Sequence, residues 1–154
     1  MPGCVVCAVR QQCGCKHVIV TSQENFVARV KDITGGKGVK VVYDSVGKDT
    51  FEGSLNCLRP FGLLASFGNA SGPVPPFAPG ILGNKGSLYI TRATLFTHIA
   101  TREATQKMAD DLFAVVKSGA VKIRIDQRYP LAEVAQAHRD LEARKTTGST
   151  VLMP

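Results

Sequence analysis

The sequence has no apolar run of about 18 residues, the length that a membrane-spanning helix needs. Its first residues, MPGCVVCAVR, place no basic segment ahead of the short apolar run, so they do not fit a secretory signal. No basic run and no aromatic-rich nucleic-acid motif accompanies the net charge of +7. These absences argue against membrane, secreted and nucleic-acid-binding proteins, and they predict a cytoplasmic location.

The sequence also lacks the short motifs of a self-contained phosphate or metal site. G-x-G-x-x-G is absent, and GGKG at 35–38 follows a predicted helix and precedes a predicted strand, which is the wrong order for a dinucleotide-binding loop. Walker, H-E-x-x-H, G-x-S-x-G and EF-hand motifs are absent as well. His17, His98 and His138 have no acidic partner at a diagnostic spacing, so they are interpreted as packing or surface residues.

Four of the five cysteines are concentrated at the start of the chain. Cys4, Cys7, Cys13 and Cys15 follow the pattern C-x₂-C-x₅-C-x-C, and four thiolates at this spacing can enclose a tetrahedral zinc ion. An odd number of cysteines outside a small secreted framework favours free thiols or metal ligands over disulfides. Cys57 stands alone on the inner side of a predicted helix and is interpreted as a core residue.

Apolar runs alternate with amphipathic segments along the chain, a pattern typical of strands alternating with helices. The predicted strands are 17–20, 39–47, 62–68, 86–92, 121–130 and 149–154, and the predicted helices are 22–36, 48–60, 101–119 and 131–148. The β-branched and aromatic run at 39–43 predicts a strand buried on both faces. Repeated strand-helix-strand units predict a right-handed, doubly wound parallel sheet, an α/β fold.

Each predicted helix is expected to turn one apolar face inward. The inward residues are Phe26, Val27, Val30 and Ile33 in the first helix, Phe51, Leu55 and Leu58 in the second, Ala104, Met108, Leu112 and Val115 in the third, and Leu131, Val134, Ala135, His138 and Leu141 in the fourth. The second helix is expected to stop near Pro60. The loop 69–80 is rich in proline and glycine, and a loop of that length is typically functional or mobile.

Polar and glycine residues follow the predicted strands, at the edge where open α/β sheets bind ligands. DSVG at 44–47 and SFGN at 66–69 suit backbone approach to a flat, polar cofactor. Turns between strands and helices need the same residue types for their geometry and for helix capping, so spacing alone leaves both interpretations open. Tyr43 and Asp44 do not qualify as a proton donor and acceptor pair, because adjacent strand side chains point to opposite faces.

Several segments together resemble a known enzyme family. They are ITGGKGVKVVYDSVGKDTFEGSLNCLRPFGLLASFGNASG, NKGSLYITR, TRE, YPLAEVAQAH and GSTVLMP. In this order they closely resemble the bacterial NADPH:quinone oxidoreductases, the zeta-crystallin-like, zinc-free branch of the medium-chain dehydrogenase/reductase superfamily. The resemblance runs from about Gly14 to Pro154 and implies hydride transfer from NADPH to a quinone without a metal.

The resemblance also implies site residues and a partner. Ser45, Phe67, Gly68 and Asn69 are expected to line the cofactor. Thr91, Arg92 and Arg144 are weaker candidates for the same cleft. The strand from Gly86 to Arg92 resembles the edge by which two such sheets pair in a homodimer.

By the same resemblance, residues 1–13 form an atypical N-terminal segment, 14–119 the later part of an NADP-binding Rossmann domain, and 120–154 a strand-helix-strand that completes a GroES-like catalytic domain. The chain starts at about the third strand of the cofactor sheet, and Thr21 stands where relatives commonly have a cofactor-packing tyrosine. The apolar face of the tail is expected to be exposed. The chain alone is therefore expected to be weak or inactive, and a non-catalytic α/β module that binds a nucleotide or a partner stays an alternative. Since this branch lacks zinc, the cysteine-rich start is interpreted as sequence outside the fold.

Overall fold

The computed structural model describes residues 14–154, so the predicted N-terminal segment with Cys4, Cys7 and Cys13 lies outside the described residues. The chain divides into two compact units, the first ending at Thr97 and the second beginning at His98. This division lies upstream of residue 119, where the sequence predicts a change of domain, and that family-based boundary stays a prediction. Within residues 14–154, no helix is long and apolar enough to cross a bilayer.

Helices and strands alternate along most of the described chain. In chain order the elements are α1 (Phe26–Ile33), β1 (Val39–Asp44), α2 (Phe51–Asn56), β2 (Leu58–Ser66), α3 (Gly80–Asn84), β3 (Tyr89–Arg92), α4 (Leu95–His98), α5 (Arg102–Lys117), β4 (Ile125–Pro130), a 3₁₀ turn (Leu131–Glu133), α6 (Val134–Glu142) and β5 (Ser149–Met153). The Asn25 side chain caps α1 by accepting from the Ala28 amide at 3.0 Å, as expected for a helix N-cap.

Parallel sheets with flanking helices confirm the predicted α/β class. In the first unit, β1, β2 and β3 form a three-stranded sheet in chain order, with both pairs parallel. In the second unit, β4 and β5 form a two-stranded parallel pair. The helical connections between parallel strands follow from the need to return the chain to the same end of the sheet.

The core of the first unit lies on one face of its sheet. Leu64 of β2 is fully buried, and the other buried apolar residues of the cluster come from α2, from the start of β2 and from the residue before β3. On the opposite face Tyr43 is 77% exposed and Tyr89 is 61% exposed. The prediction that β1 is buried on both faces is therefore wrong, because the helices of this unit cover only the Leu64 face. The predicted separation of Tyr43 from Asp44 is confirmed, since Asp44 is buried.

Residues 17–20, predicted as a strand, lie in no strand of the structure. A strand needs a hydrogen-bonding neighbour, and in the doubly wound order 3-2-1-4-5-6 the third and fourth strands are separated by the first two. This segment, which the resemblance makes the third strand, thus has no neighbour in the described sheet. Its Val20 carbonyl instead accepts from the Gln23 and Glu24 amides in a turn.

The helix predicted to run to Pro60 ends at Asn56, and Leu58 already begins β2. Pro60 lies inside the strand because the pairing with β1 shifts there, from Leu58 opposite Val39 to Leu63 opposite Val41. The intervening residues form no regular ladder with β1, so the missing proline N–H costs no ladder hydrogen bond. This irregular pairing allows β2 to begin before Pro60, so the predicted boundary is wrong.

The second unit buries little apolar surface. Three of the four residues predicted to face inward from α5 are exposed, Met108, Leu112 at 56% and Val115, so the prediction is wrong for them. The fourth, Ala104, is half-buried. The described chain supplies no surface that covers this face of α5. The predicted strand from 121 begins only at Ile125, which leaves Val121 and Ile123 exposed. The expected exposure of the tail's apolar residues is confirmed at Leu131, Val134, Leu141 and Met153.

Candidate functional site

The carboxyl ends of the three strands of the first unit lie level with one another. Asp44 of β1 pairs with Ser66 of β2, and Ser66 pairs with Arg92 of β3. All three residues therefore project from the same face of the sheet, which is the face of the core. A turn at 45–47 follows β1 and a longer loop beginning at 67 follows β2, so both emerge side by side at this edge.

Hydrogen bonds fasten the two turns together. The backbone bonds run from Phe67 N to Asp44 O at 2.8 Å, Ala70 N to Ser45 O at 3.2 Å, Ser71 N to Val46 O at 2.8 Å and Lys48 N to Gly72 O at 3.1 Å. The Ser71 hydroxyl adds a bond to the Val46 carbonyl at 2.9 Å. The polar backbone of the two strand exits is thus satisfied within the site, and the two turns form one rigid edge.

Two glycines make this close contact possible. A Cβ on Gly68 would lie 2.9 Å from both the carbonyl carbon and the Cα of Ser45, and closer still to the Ser45 carbonyl oxygen. A Cβ on Gly47 would lie 2.6 Å from the Gly72 carbonyl oxygen, and the φ of Gly47 is +91°. Side chains do not fit between these backbones, and Gly47 also holds a conformation that L-residues rarely adopt. The glycines of DSVG and SFGN therefore serve backbone packing.

The carboxylate of Asp44 accepts hydrogen bonds that hold the turn at 45–47 in place. It is buried and accepts from the Val46 amide at 2.8 Å, the Gly47 amide at 3.1 Å, the Thr50 hydroxyl at 2.8–2.9 Å and the Ser54 hydroxyl at 2.7 Å. Burial by itself would raise the pKa of Asp44, but these hydrogen bonds together outweigh it and hold the pKa below its ordinary value. Asp44 is thus ionised at neutral pH.

A cavity of about 290 Å³ opens beside this edge on the core face of the sheet. Its lining residues are Phe51, Ser66, Asn69, Pro73, Val74, Phe77, Ile90 and Arg92. The rings of Phe51 and Phe77 form one wall with their centroids 4.8 Å apart. The Arg92 guanidinium donates to the Ser66 carbonyl at 3.1 Å and sits at the polar end. The cavity thus combines apolar walls with three side chains that can donate hydrogen bonds, Ser66, Asn69 and Arg92, a composition common in small-molecule sites.

The size and chemistry of this cavity fit one end of a dinucleotide. Whole ligand pockets commonly span about 300–1,000 Å³, so this cavity suits a single flat ring with its amide substituent. The Asn69 amide and the Arg92 guanidinium are suitable partners for a carboxamide. The residues present therefore fit the nicotinamide part of NADPH, and residues 14–154 contain no G-x-G-x-x-G loop of the kind that cradles its phosphates.

The structure brings five of the seven predicted cofactor residues to one edge of the sheet and leaves two elsewhere. Ser45, Phe67, Gly68 and Asn69 lie together on the two fastened turns, and Asn69 also lines the cavity. Arg92 reaches the same cavity, whereas its neighbour Thr91 pairs with Ala65 and points to the opposite face of the sheet. Arg144 lies in the second unit just after α6, with a φ of +56°. The cofactor roles of all seven remain predictions.

Sequence analysis missed the aromatic wall and the partners of Asp44. Phe51 was identified only as a core residue, and Phe77 lay in the loop 69–80, whose length was its one functional signal. Thr50 and Ser54 follow Asp44 by six and ten residues, and nothing in that spacing indicates a shared carboxylate before the helix is placed. These contacts depend on how α2 packs under the turn.

Metal-ligating side chains do not cluster within residues 14–154: no group of three or more His, Cys, Asp or Glu residues there could hold an ion. Cys57 is buried as predicted, and burial raises the pKa of its thiol although Lys31 lies close enough to lower it in part. Cys15 is exposed, and the other three cysteines of the predicted zinc pattern lie outside the described residues.

Comparison with known proteins identifies relatives over almost the whole chain. A family model described as zinc-binding dehydrogenase matches residues 13–152. The chain is 56% identical over 144 residues to the quinone oxidoreductase of Pseudomonas aeruginosa, covering 94% of this chain and 44% of that protein. It is 49% identical over 143 residues to quinone oxidoreductase 1 of Escherichia coli, covering 92% of this chain and 44% of that protein.

Solved structures agree with these relatives. Escherichia coli quinone oxidoreductase complexed with NADPH matches with a TM-score of 0.80 and 49% identity, covering 90% of this chain and 43% of that one. A mycobacterial protein complexed with NADPH matches with a TM-score of 0.86 and 44% identity, covering 97% and 47%. The chain thus spans a little under half the length of the relatives it matches. Because the family model covers nearly all of its residues, this chain belongs to the zinc-binding dehydrogenase family, in which its relatives at 49–56% identity are named quinone oxidoreductases.

Proposed function

We propose that this chain forms part of an NADPH-dependent quinone oxidoreductase, which transfers hydride from NADPH to a quinone. The observation that carries the proposal is the cavity at the strand ends, walled by Phe51 and Phe77 and bordered by Asn69 and Arg92. Relatives with the same fold were solved with NADPH. Since the chain spans less than half of those relatives, the activity proposed is that of the whole protein, to which this chain supplies one wall of the cleft.

The described residues act by binding and orientation. Phe51, Val74 and Phe77 offer an apolar surface on which a flat ring packs and from which water is excluded. Asn69 and Arg92 hold the ring in one orientation through its polar substituent. When bound, NADPH supplies the hydride. Among the described residues none that lines the cavity is an Asp, Glu, His or Lys, so these side chains contribute position and a dry environment rather than proton transfer.

The first test measures NADPH binding to the 154-residue chain by fluorescence titration, with quinone reduction followed on the same sample. We expect weak, saturable binding, because the phosphates lack a cradle within residues 14–154. We expect turnover at least about a hundredfold below the range of about 1–10³ s⁻¹ that is usual for enzymes. Asn69→Ala is expected to weaken binding about tenfold, which corresponds to the loss of one or two hydrogen bonds.

Asn84→Ala is the matched control, since Asn84 is exposed at the end of α3 and does not line the cavity. If the wild-type chain and Asn69→Ala bound NADPH with equal affinity, this cavity would not be the NADPH site. A wild-type chain that does not bind NADPH at all would favour the second candidate, a non-catalytic α/β module. That candidate draws its support from the lack of a phosphate cradle among the described residues.

We also propose that two copies pair through the strand from Gly86 to Arg92, and that the protein is cytoplasmic. Within the described sheet β3 pairs only with β2, so its outer edge has backbone groups available for another strand. The free thiols Cys15 and Cys57 suit a reducing compartment.

The dimer is tested by sedimentation equilibrium on two matched variants. Tyr89 and Tyr43 are exposed tyrosines on the two edge strands of the same sheet. We expect Tyr89→Asp to weaken dimerisation about tenfold or more, since a charge at the pairing edge costs at least about 1.4 kcal/mol. Tyr43→Asp is expected to leave the dimer unchanged. A monomeric wild-type chain, or equal effects of the two variants, would contradict pairing through β3.

A further inference from the structure

The carboxylate of Asp44 is a candidate for a role beyond stability. Among the described residues it accepts hydrogen bonds from four groups: two backbone amides of the turn at 45–47, the hydroxyl of Thr50 just before α2 and the hydroxyl of Ser54 within α2. Both its oxygens are engaged, and its side chain is buried. Asp44 therefore joins the turn after β1 to the helix beneath it.

The turn at 45–47, which Asp44 holds, also supports the loop that carries the predicted cofactor residue Asn69. Its Ser45 carbonyl accepts from the Ala70 amide, and its Val46 carbonyl accepts from the Ser71 amide and hydroxyl. Asn69, which borders the cavity, lies on the loop that these bonds fasten. A chain of hydrogen bonds thus runs from the Asp44 carboxylate through the turn at 45–47 to Ala70 and Ser71, the two residues that directly follow Asn69.

We propose that Asp44 is a positioning residue for the nicotinamide site: it does not line the cavity, and it fixes Ser45 and Asn69 at the cavity's edge through the turn. The inference rests on the proposed function. An ionised carboxylate suits this task because it only accepts hydrogen bonds, and all four of its partners donate. In Asp44→Asn, an NH₂ group would replace one carboxylate oxygen and face these donors at nearly unchanged side-chain volume. One or more of the four donors would then have lost its acceptor.

Asp44→Asn is the decisive variant, and Asp49→Asn is its matched control. Asp49 is exposed, lies in the same connection between β1 and α2, and loses the same charge. Two quantities are measured on each chain: the exchange rates of the Val46 and Gly47 amides by NMR, and NADPH binding by fluorescence. We expect Asp44→Asn to speed exchange at these two amides at least tenfold, and to weaken NADPH binding at least tenfold, while Asp49→Asn changes neither.

Amides in the middle of β2, such as that of Leu64, report whether the fold itself survives. If Asp44→Asn speeds exchange there as well, Ser54→Ala provides the milder variant, because it removes a single donor to the carboxylate. We expect Ser54→Ala to speed exchange at the Val46 and Gly47 amides and to weaken NADPH binding. Exchange at the β2 amides is expected to stay unchanged.

The amide exchange rates and the NADPH affinities together separate a failure of the positioning role of Asp44 from a failure of the proposed function. Unchanged exchange at Val46 and Gly47 overturns the inference whatever the binding result. Faster exchange with wild-type NADPH affinity also overturns it, because Asp44 would then serve the fold alone. If the wild-type chain does not bind NADPH, the proposed function is overturned and the inference with it. That failure is seen in the titration of the wild-type chain and needs no variant.

Discussion

Gly68→Ala is expected to destabilise the first unit by about 3 kcal/mol, near the upper end of the cost of overpacking. The added Cβ would meet backbone atoms of Ser45, with its carbonyl carbon and Cα at 2.9 Å, and backbone cannot rotate away as a side chain can. The two strand exits would have to separate, which stretches the bonds from Ala70 and Ser71 to the first turn. The same separation is expected to abolish measurable NADPH binding.

Urea unfolding monitored by circular dichroism measures the change in stability, and fluorescence titration measures the loss of binding. Gly80→Ala is the control, because Gly80 has nothing within 4 Å of its would-be Cβ and begins α3. That change is expected to be neutral or to stabilise by up to about 1 kcal/mol, through the lower entropy of the unfolded chain. Equal stability of Gly68→Ala and the wild-type chain would show that the two turns are not packed as described.

Leu64→Ala is expected to cost about 3–5 kcal/mol, the range found when a fully buried leucine loses its side chain and leaves a cavity. Leu64 has no exposed surface, and among residues 14–154 its cluster contains four other buried residues. Small domains are stable by about 5–15 kcal/mol in total, so this single change removes a large share of that stability. We expect the first unit to be largely unfolded at 37 °C in the variant.

Leu112→Ala is the matched control for this core prediction. Leu112 lies on α5 and is 56% exposed, so its truncation is expected to change the free energy of unfolding by no more than about 0.5 kcal/mol. Urea unfolding of the two variants measures their free energies of unfolding. If Leu112→Ala proved as costly as Leu64→Ala, the exposed face of α5 would be covered in solution, which would contradict its exposure in the structure.

Local pattern predicted the order and type of most elements, because it depends on contacts between near neighbours. The run from Val39 to Asp44 forms a strand, the periodic apolar residues from Phe26 form a helix, and Gly119 follows the end of α5 with the positive φ expected of a stop. The strand exits DSVG and SFGN were correctly identified as the edge where polar groups gather. Side-chain alternation correctly separated Tyr43 from Asp44.

Tertiary structure decided everything that depends on a neighbour distant in the chain. Within the part of the chain that the structure describes, residues 17–20 have strand composition but no strand partner, and most of the face of α5 that was predicted to be buried is exposed. Pro60 enters β2 because the pairing with β1 is irregular at that point. The site follows the same rule. Sequence alone determined which residues follow the strands. Packing of α2 under the turn at 45–47 gave Asp44 its two hydroxyl donors and brought Phe51 to Phe77, since those contacts join residues that no local pattern relates.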